Sequence, residues 1–448
     1  MFRVWSQASS EPRSLKHFGC FASSGARSLS DEPLVADSLL AWLYGTPVAR
    51  LTRRDNQGIG VEWDQAALDR WSLGSRVLSV AVPIGDPVGP RDTRGLDFFE
   101  NLLPEGPAIE TMARIAGVSR YDTFGILAAF GEDCAGAIVI IPDGRSLDAS
   151  EKTTYLPMTS DDLAEAIRSL DTAPLGLDLA SGYKPSLPGF QRKLLLGRSP
   201  EGDWLRPTHG APSSWILKPD GRTPMADNEV TCLRLASACG LPVPDVELLH
   251  VDGLATLAIR RYDRSARSVG IERIHQEDGC QATATPPAQK YEVQGGPSLV
   301  AFSNVIRDFG DPADLESLLA RVTLNTAIGN ADAHAKNFSF LHDPSDPIVR
   351  LAPVYDLIAT MELKPTTDDG RPIPNDPTMG QRVAGTLDVR EVTRQDLVDE
   401  GTHWRLRKQI AERVVDETIA RVREAARNLN GNDRVLLSTQ RRCAELAT

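Results

Sequence analysis

The chain has 448 residues, of which 41% are hydrophobic and 25% charged, the balance of a well-packed globular protein rather than a fibre or a wholly disordered chain. Its 49 basic and 61 acidic side chains leave a net charge of −12, so its overall field does not hold it on DNA or RNA. Six cysteines lie scattered without Cys-x-x-Cys pairs, which excludes a zinc framework and a disulfide scaffold. No apolar run approaches the roughly 18–20 residues that cross a bilayer, nothing at the N-terminus reads as a signal peptide, and the cytoplasm is the expected compartment.

In chain order, residues 1–35 are Ser- and Arg-rich without hydrophobic periodicity and read as a loose tail or an early start. Residues 36–145 read as a small α/β module: strands at 39–44, 48–51 and 77–82, helices at 98–117 and 122–130, and a buried strand at 136–141 stopped by Pro142-Asp143-Gly144. A linker-like stretch with Pro157 and Pro174 follows. Strands are then expected at 193–196, 214–217, 246–250 and 254–259, with one helix at 228–238 ended by Gly240 and Pro242. This β-rich lobe runs over 146–262. Residues 263–448 read as mainly helical, with helices at 299–309, 313–328 and 404–429.

The polar residues give this order a chemistry. Asp332 and Asn337 stand in Asp-x-x-x-x-Asn, directly after an apolar helix, at the spacing of the protein-kinase catalytic loop. In that loop the Asp accepts the substrate hydroxyl proton and the Asn holds magnesium. Asp356 follows nineteen residues after Asn337, behind the apolar run IVRLAPVY, where a kinase keeps its second magnesium ligand. Upstream, Trp215-Ile216-Leu217-Lys218 is a β run ending in a lysine suited to α/β-phosphates, and Glu229, eleven residues on, can orient it. The turn Ser186-Leu187-Pro188-Gly189-Phe190-Gln191-Arg192-Lys193 can present backbone N–H groups to phosphate oxygens. Neither GxxxxGK[ST] nor GxGxxG occurs, which removes P-loop and Rossmann readings. Each residue alone fits a bland role as a cap, turn or strand end; their order gives the reading.

The same segments resemble the HipA family, the serine/threonine-kinase toxins of bacterial toxin–antitoxin pairs. The similar stretches are LLPEG (102–106), GEDCAGAI (131–138), SLPGFQRKL (186–194), WILKPD (215–220), RRYDR (260–264), RIHQEDGCQ (273–281), KYE (290–292), GNADAHAKNFSFL (329–341) and LAPVYDL (351–357). They are collinear over residues 38–430. The resemblance implies an α+β, protein-kinase-like two-lobed fold and ATP- and Mg2+-dependent phosphorylation of a protein serine or threonine. Aminoacyl-tRNA synthetases are among known family targets, and nothing in this sequence selects one.

Residue by residue, the resemblance makes Asp332 the catalytic base, Asn337 and Asp356 the metal ligands, and Lys218 the phosphate-binding lysine. It places His334 and Tyr355 at the nucleotide end of the cleft, and Gly189 and Gln191 in the phosphate loop. Arg260, Arg261 and Tyr262 form the hinge that holds adenine, with Arg260 in place of the usual glutamate. Ser186 falls on the autophosphorylated serine. The N-terminal module corresponds to the one that contacts a HipB-like helix-turn-helix antitoxin dimer, through which DNA is held indirectly. A small-molecule phosphotransferase of the aminoglycoside- or choline-kinase type is the alternative expectation, because it also uses Asp-x-x-x-x-Asn. RIHQEDGCQ and KYE carry no mechanism readable from their residues.

Overall fold

The computed structural model describes residues 37–54, 58–89, 91–145, 147, 154–266, 270–367 and 369–448. The expected tail at 1–35 lies outside the described residues.

Alternation in Ser38–Leu43 turns Leu39, Ala41 and Leu43 inward, and this strand is the centre of a four-stranded antiparallel sheet. Its neighbours are Thr46–Arg53 and Ile138–Pro142, with Ile59–Trp63 at the edge. Helices Arg94–Glu100, Pro107–Ala116 and Thr123–Phe130 pack on that sheet through Phe98, Phe99, Phe124 and Phe130. A single helix over 98–117 is not formed. Pro104 has no N–H for the helical ladder and Gly106 takes φ +60°, so the LLPEG segment becomes a tight turn before Pro107 restarts the helix.

The expected strand at 77–82 is also absent. The run is buried but irregular, because Ser79 Oγ and the Val80 N–H both donate to the Glu277 carboxylate, at 2.6 and 2.8 Å. Glu277 belongs to the RIHQEDGCQ segment and also meets His342 Nε2 at 3.0 Å. A buried carboxylate must be hydrogen-bonded, and here that need overrides local β-propensity.

The second sheet has six antiparallel strands, in the spatial order Thr154–Pro157, Trp204–Thr208, Leu194–Arg198, Trp215–Pro219, Leu254–Arg260 and Val246–Val251. Its first strand and the helix Ser160–Arg168 occupy the stretch expected to be a linker. Thr159 and Asp162 form a reciprocal capping box there, so the polar residues that suggested a loop are a helix start. Helix Ala226–Ala238 connects two strands of this sheet and ends before Gly240 at φ +83°.

The third body packs five helices, Leu299–Phe309, Ala313–Ile328, Arg394–His403, Lys408–Asn428 and Asp433–Leu446, around Phe302, Leu318 and Trp404. The helix expected over 404–429 starts only at Lys408. Arg405 has φ +69° and Trp404 is fixed by its indole N–H on Glu400 Oε1 at 2.8 Å. A three-stranded sheet of His275–Asp278, Ser339–Asp343 and Asp346–Leu351 lies among these helices. The strand before Asp356 therefore stops at Leu351, four residues earlier than its apolar run suggested. The five described cysteines are buried and unpaired. No helix among the described residues is long and apolar enough to cross a membrane.

Residues 36–448 form one compact unit. One joint inside it is the fully buried Asp133, whose carboxylate meets Arg264 Nη2 and Arg273 Nη1, each at 3.0 Å, Ser213 Oγ at 2.7 Å and the Tyr183 hydroxyl at 3.2 Å. Burial alone would raise its pKa, but Arg261, Arg273 and Arg264 outweigh it and hold the group far below the usual carboxylate range. Asp133→Asn leaves buried guanidinium groups short of a counter-charge. It should destabilise the protein by about 3–5 kcal/mol in urea denaturation. The stabilisation belongs to the ionised form, present above the unfolded carboxyl pKa and lost as pH falls toward the depressed folded one, so the difference from wild type should shrink in acid.

Candidate active site

Lys218 is the fourth residue of Trp215–Pro219, and its side chain is only 8% exposed. Its ammonium donates to Glu229 Oε1 at 2.7 Å and Asp356 Oδ1 at 2.6 Å. Glu229 sits in the first turn of Ala226–Ala238 and is wholly buried; Asp356 arrives from the helical body with φ +53°, an uncommon backbone for a non-glycine residue. Burial weakens the charge on Lys218, yet the two carboxylates prevail and keep it protonated. Burial likewise works against Asp356, but the adjacent Lys218 holds its carboxyl well below the ordinary range. Glu229 goes the other way: burial lifts it to about 7, and its Oε2 has no hydrogen-bond partner.

Helix Ala313–Ile328 ends in left-handed Gly329, and the following loop is fastened at several points. Ala331 N–H donates to Thr360 Oγ1 at 2.8 Å, His334 N–H to the Asp332 carbonyl at 2.8 Å, and Asn337 Nδ2 to that same carbonyl at 3.0 Å. Asn337 thus uses its amide nitrogen inside the loop, while Asp356 uses Oδ1 on Lys218. Both residues line one narrow crevice together with Asn330, Ala333 and Tyr355. Among the described residues no cluster of three His, Cys, Asp or Glu side chains could hold a metal ion. A carboxylate and a carboxamide sharing a crevice do fit a magnesium ion that takes its remaining oxygens from phosphates and water.

Asp332 accepts a 2.6 Å hydrogen bond from the Tyr291 hydroxyl. Burial lifts its carboxyl to about 6, against the lowering effect of Tyr291 and Lys290. His334 is buried, its pKa pushed down to about 3, and its ring meets Tyr291 edge-on at 5.2 Å. Tyr355 donates to the Lys336 carbonyl at 2.6 Å and stacks obliquely with Tyr262, ring centroids 5.7 Å apart.

The loop over 186–193 is docked on the 102–106 turn. Ser186 is fully buried, with Oγ donating to the Leu102 carbonyl at 2.9 Å and its N–H to the Asp133 carbonyl at 3.0 Å. Gly189 pairs with Pro104, and its carbonyl accepts from Glu105 N–H at 3.2 Å. Gln191 is half-buried in the same loop. Lys193 Nζ donates to the Pro188 carbonyl at 2.5 Å, and burial, aided by the charge of Lys218, pulls its pKa to about 8.

The residues expected to form a hinge part company. Arg260 is exposed and pairs with Asp245 at 3.2 Å. Arg261 turns its guanidinium away into the buried network, 2.8 Å from Asp263, so its side chain does not join the cleft. Tyr262 hydrogen-bonds Gln276. The sequence alone assigns no site role to Tyr291, Lys193 or Glu105. Glu105 binds Lys290 at 2.6 Å, and burial, outweighed by Lys336 and Lys290, leaves its pKa at about 2. The only signals for these three were their places in the LLPEG, SLPGFQRKL and KYE segments.

Comparison with known proteins bears on the same segments. Residues 39–141 match the family model described as HipA N-terminal domain, and residues 185–426 the one described as HipA-like C-terminal domain. The chain is 37% identical over 332 residues to the putative kinase Y4mE of Sinorhizobium fredii, covering 72% of this chain and 77% of that protein. It is 30% identical over 308 residues to the serine/threonine-protein kinase toxin HipA of Shewanella oneidensis, covering 64% and 68%. Among solved structures, the Shewanella oneidensis MR-1 complex of HipA, HipB and its operator DNA superposes with a TM-score of 0.74 at 22% identity, over 90% of this chain and 96% of the matched one.

The docked loop yields a test that needs no ligand. A Cβ on Gly106 would lie 2.2 Å from the Phe190 ring, at a positive φ that penalises alanine. Gly106→Ala should free the 186–193 loop, and limited trypsinolysis should cut after Arg192 about tenfold faster than in wild type. Unchanged cleavage would mean that the turn does not hold the loop.

Proposed function

Because this chain belongs to the HipA family of toxin kinases, we propose that it transfers the γ-phosphate of ATP to a serine or threonine of a cellular protein. The observation that carries this reading is the meeting of Lys218, Glu229 and Asp356 beside a loop that holds Asp332 and Asn337. In the proposed reaction Lys218 draws in the α/β-phosphates, and the docked 186–193 loop, with Gly189 and Gln191, offers its backbone to the phosphate oxygens. Asp332 takes the proton of the substrate hydroxyl as the new oxygen–phosphorus bond forms and the bond to ADP breaks. Magnesium, held by Asn337 and Asp356, would supply charge neutralisation at the phosphates. The tilted pair Tyr262 and Tyr355, with His334 and the backbone of Arg260 and Arg261, gives the nucleotide end of the cleft.

Three further features belong to the same proposal. Ser186 is an autophosphorylation site that switches the kinase off. Its hydroxyl is fully buried against Leu102, and a phosphate of about −1.5 to −2 charge cannot occupy that place. The module over 36–145 binds a HipB-like helix-turn-helix dimer, which neutralises the toxin and carries DNA. A net charge of −12 suits a protein that leaves DNA to its partner. The protein works in the cytoplasm.

Asp332→Asn should lower the turnover number by at least about 100-fold while nucleotide binding stays within about twofold. Asp356→Ala should abolish magnesium-dependent nucleotide binding itself. Phosphoproteomics after brief induction of wild type and Asp332→Asn reads the outcome in cells: phosphosites present only with wild type identify the target. Near-normal turnover in Asp332→Asn would overturn the assignment. Phosphorylation of Ser186 should eliminate ATP binding, and equal affinity in both forms would remove the off-switch.

A further inference from the structure

The KYE segment offers no periodicity and no motif chemistry, yet it is fastened to the loop over 330–337 on several sides. The Lys290 carbonyl accepts from Ala335 N–H at 3.0 Å. The Lys290 ammonium binds Glu105 at 2.6 Å, and Glu292 accepts from the Arg382 N–H at 2.7 Å. Between these anchors Tyr291 lays its ring edge on His334 and donates its hydroxyl to Asp332 Oδ1 at 2.6 Å. A short hydrogen bond from a neutral phenol to a carboxylate fixes both the rotation of that carboxylate and the oxygen left over.

Resting on the reading of Asp332 as the proton acceptor, we propose that Tyr291 is a positioning residue for this base, holding Oδ1 so that Oδ2 receives the proton of the attacking hydroxyl. The alternative use of such a contact is a decoy, with the phenol sitting in the seat of the substrate hydroxyl and leaving when substrate arrives. The anchoring favours the positioning role. Residues 290 and 292 on either side of the tyrosine are tied to three separate parts of the chain, so the phenol moves with the loop instead of swinging clear of it. A catalytic group displaced by about 1 Å loses on the order of 100-fold in rate, so an oriented carboxylate is worth holding.

Tyr291→Phe keeps the ring on His334 and deletes only the donor. ADP release is measured with the full-length chain, ATP and magnesium, with dephosphorylated casein as a generic hydroxyl-bearing acceptor. Expected is a turnover number lower by about 10–100-fold, with the ATP KM and the affinity for a fluorescent ATP analogue within about twofold of wild type. In an Asp332→Asn background the same substitution should cost nothing further, because a residue that acts through Asp332 has nothing left to orient. Full or increased turnover in Tyr291→Phe would overturn the proposal, an increase being the mark of a decoy. A loss that appears as weaker nucleotide binding would overturn it as well, since that is what loosening of the loop produces. If Asp332→Asn turns over like wild type, the kinase reading itself falls; if Asp332→Asn is inactive and Tyr291→Phe is not, only the role of Tyr291 falls.

Discussion

An ammonium group removed from water must be matched by charge or give up its proton, and Lys218 is matched twice. Its two carboxylates come from 11 and 138 residues away, one on a helix of the β-rich body and one on a segment leaving the helical body. A single buried cation therefore fixes a strand, a helix and a loop at one point. The arrangement carries one positive and two negative groups, and burial divides the carboxylates unequally: Asp356 stays ionised while Glu229 is pushed up. Asp356 is the one that reaches solvent, with a side chain 35% exposed. In the proposed reaction the nucleotide phosphates would compete with that carboxylate for the same ammonium, and magnesium at Asp356 would relieve the competition.

The same logic governs the joints around the site. Glu277 ties the irregular 77–82 run to the three-stranded sheet, and Asp133 ties the first sheet's module to Arg264 and Arg273. Lys336, inside the Asp-x-x-x-x-Asn loop, reaches Asn101 Oδ1 at 2.8 Å and lies 3.5 Å from Asp278. Buried polar joints of this kind are weak as net stabilisers but costly to break, because each broken partner leaves a charge stranded. They hold the N-terminal module as a wall of the site.

This distribution of labour explains what could be read from the sequence. Helices 299–309 and 313–328 have the bounds expected from their apolar runs. The Lys, Glu, Asp-x-x-x-x-Asn, Asp series was legible because each member sits at a strand end, helix start or loop with its own local signal. Residues 77–82 were misread because a distant carboxylate claims the Val80 amide, a fact of tertiary structure that no local pattern encodes. The stretch around Pro157 was misread because an edge strand and a capped helix start use the same residues as a linker. Arg261 looked like part of a hinge, and its burial beside Asp133 and the Cys134 carbonyl depends on contacts more than 100 residues apart. Tyr291 was invisible for the simplest reason: one tyrosine before a single 3₁₀ turn has no period.

The five residues of LLPEG show how much can be asked of one turn. The preceding helix stops at Glu100 and Pro104 offers no N–H to prolong it, Gly106 supplies the positive φ that begins the next, and the Leu102 carbonyl and Glu105 N–H hold the 186–193 loop. The Glu105 side chain binds Lys290, whose carbonyl accepts from the Ala335 N–H. The turn thus touches the loop that would face phosphates directly and is linked through Lys290 to the loop that carries Asp332. Backbone groups serve the first contact and a side chain the second, so the two do not compete. A shift of this turn by the length of a hydrogen bond would move both halves of the site together, and the pairing of Glu105 with Lys290 resists that shift because it is largely buried and its carboxylate is held ionised. The N-terminal module, through five residues, is where the geometry of the two loops is made common.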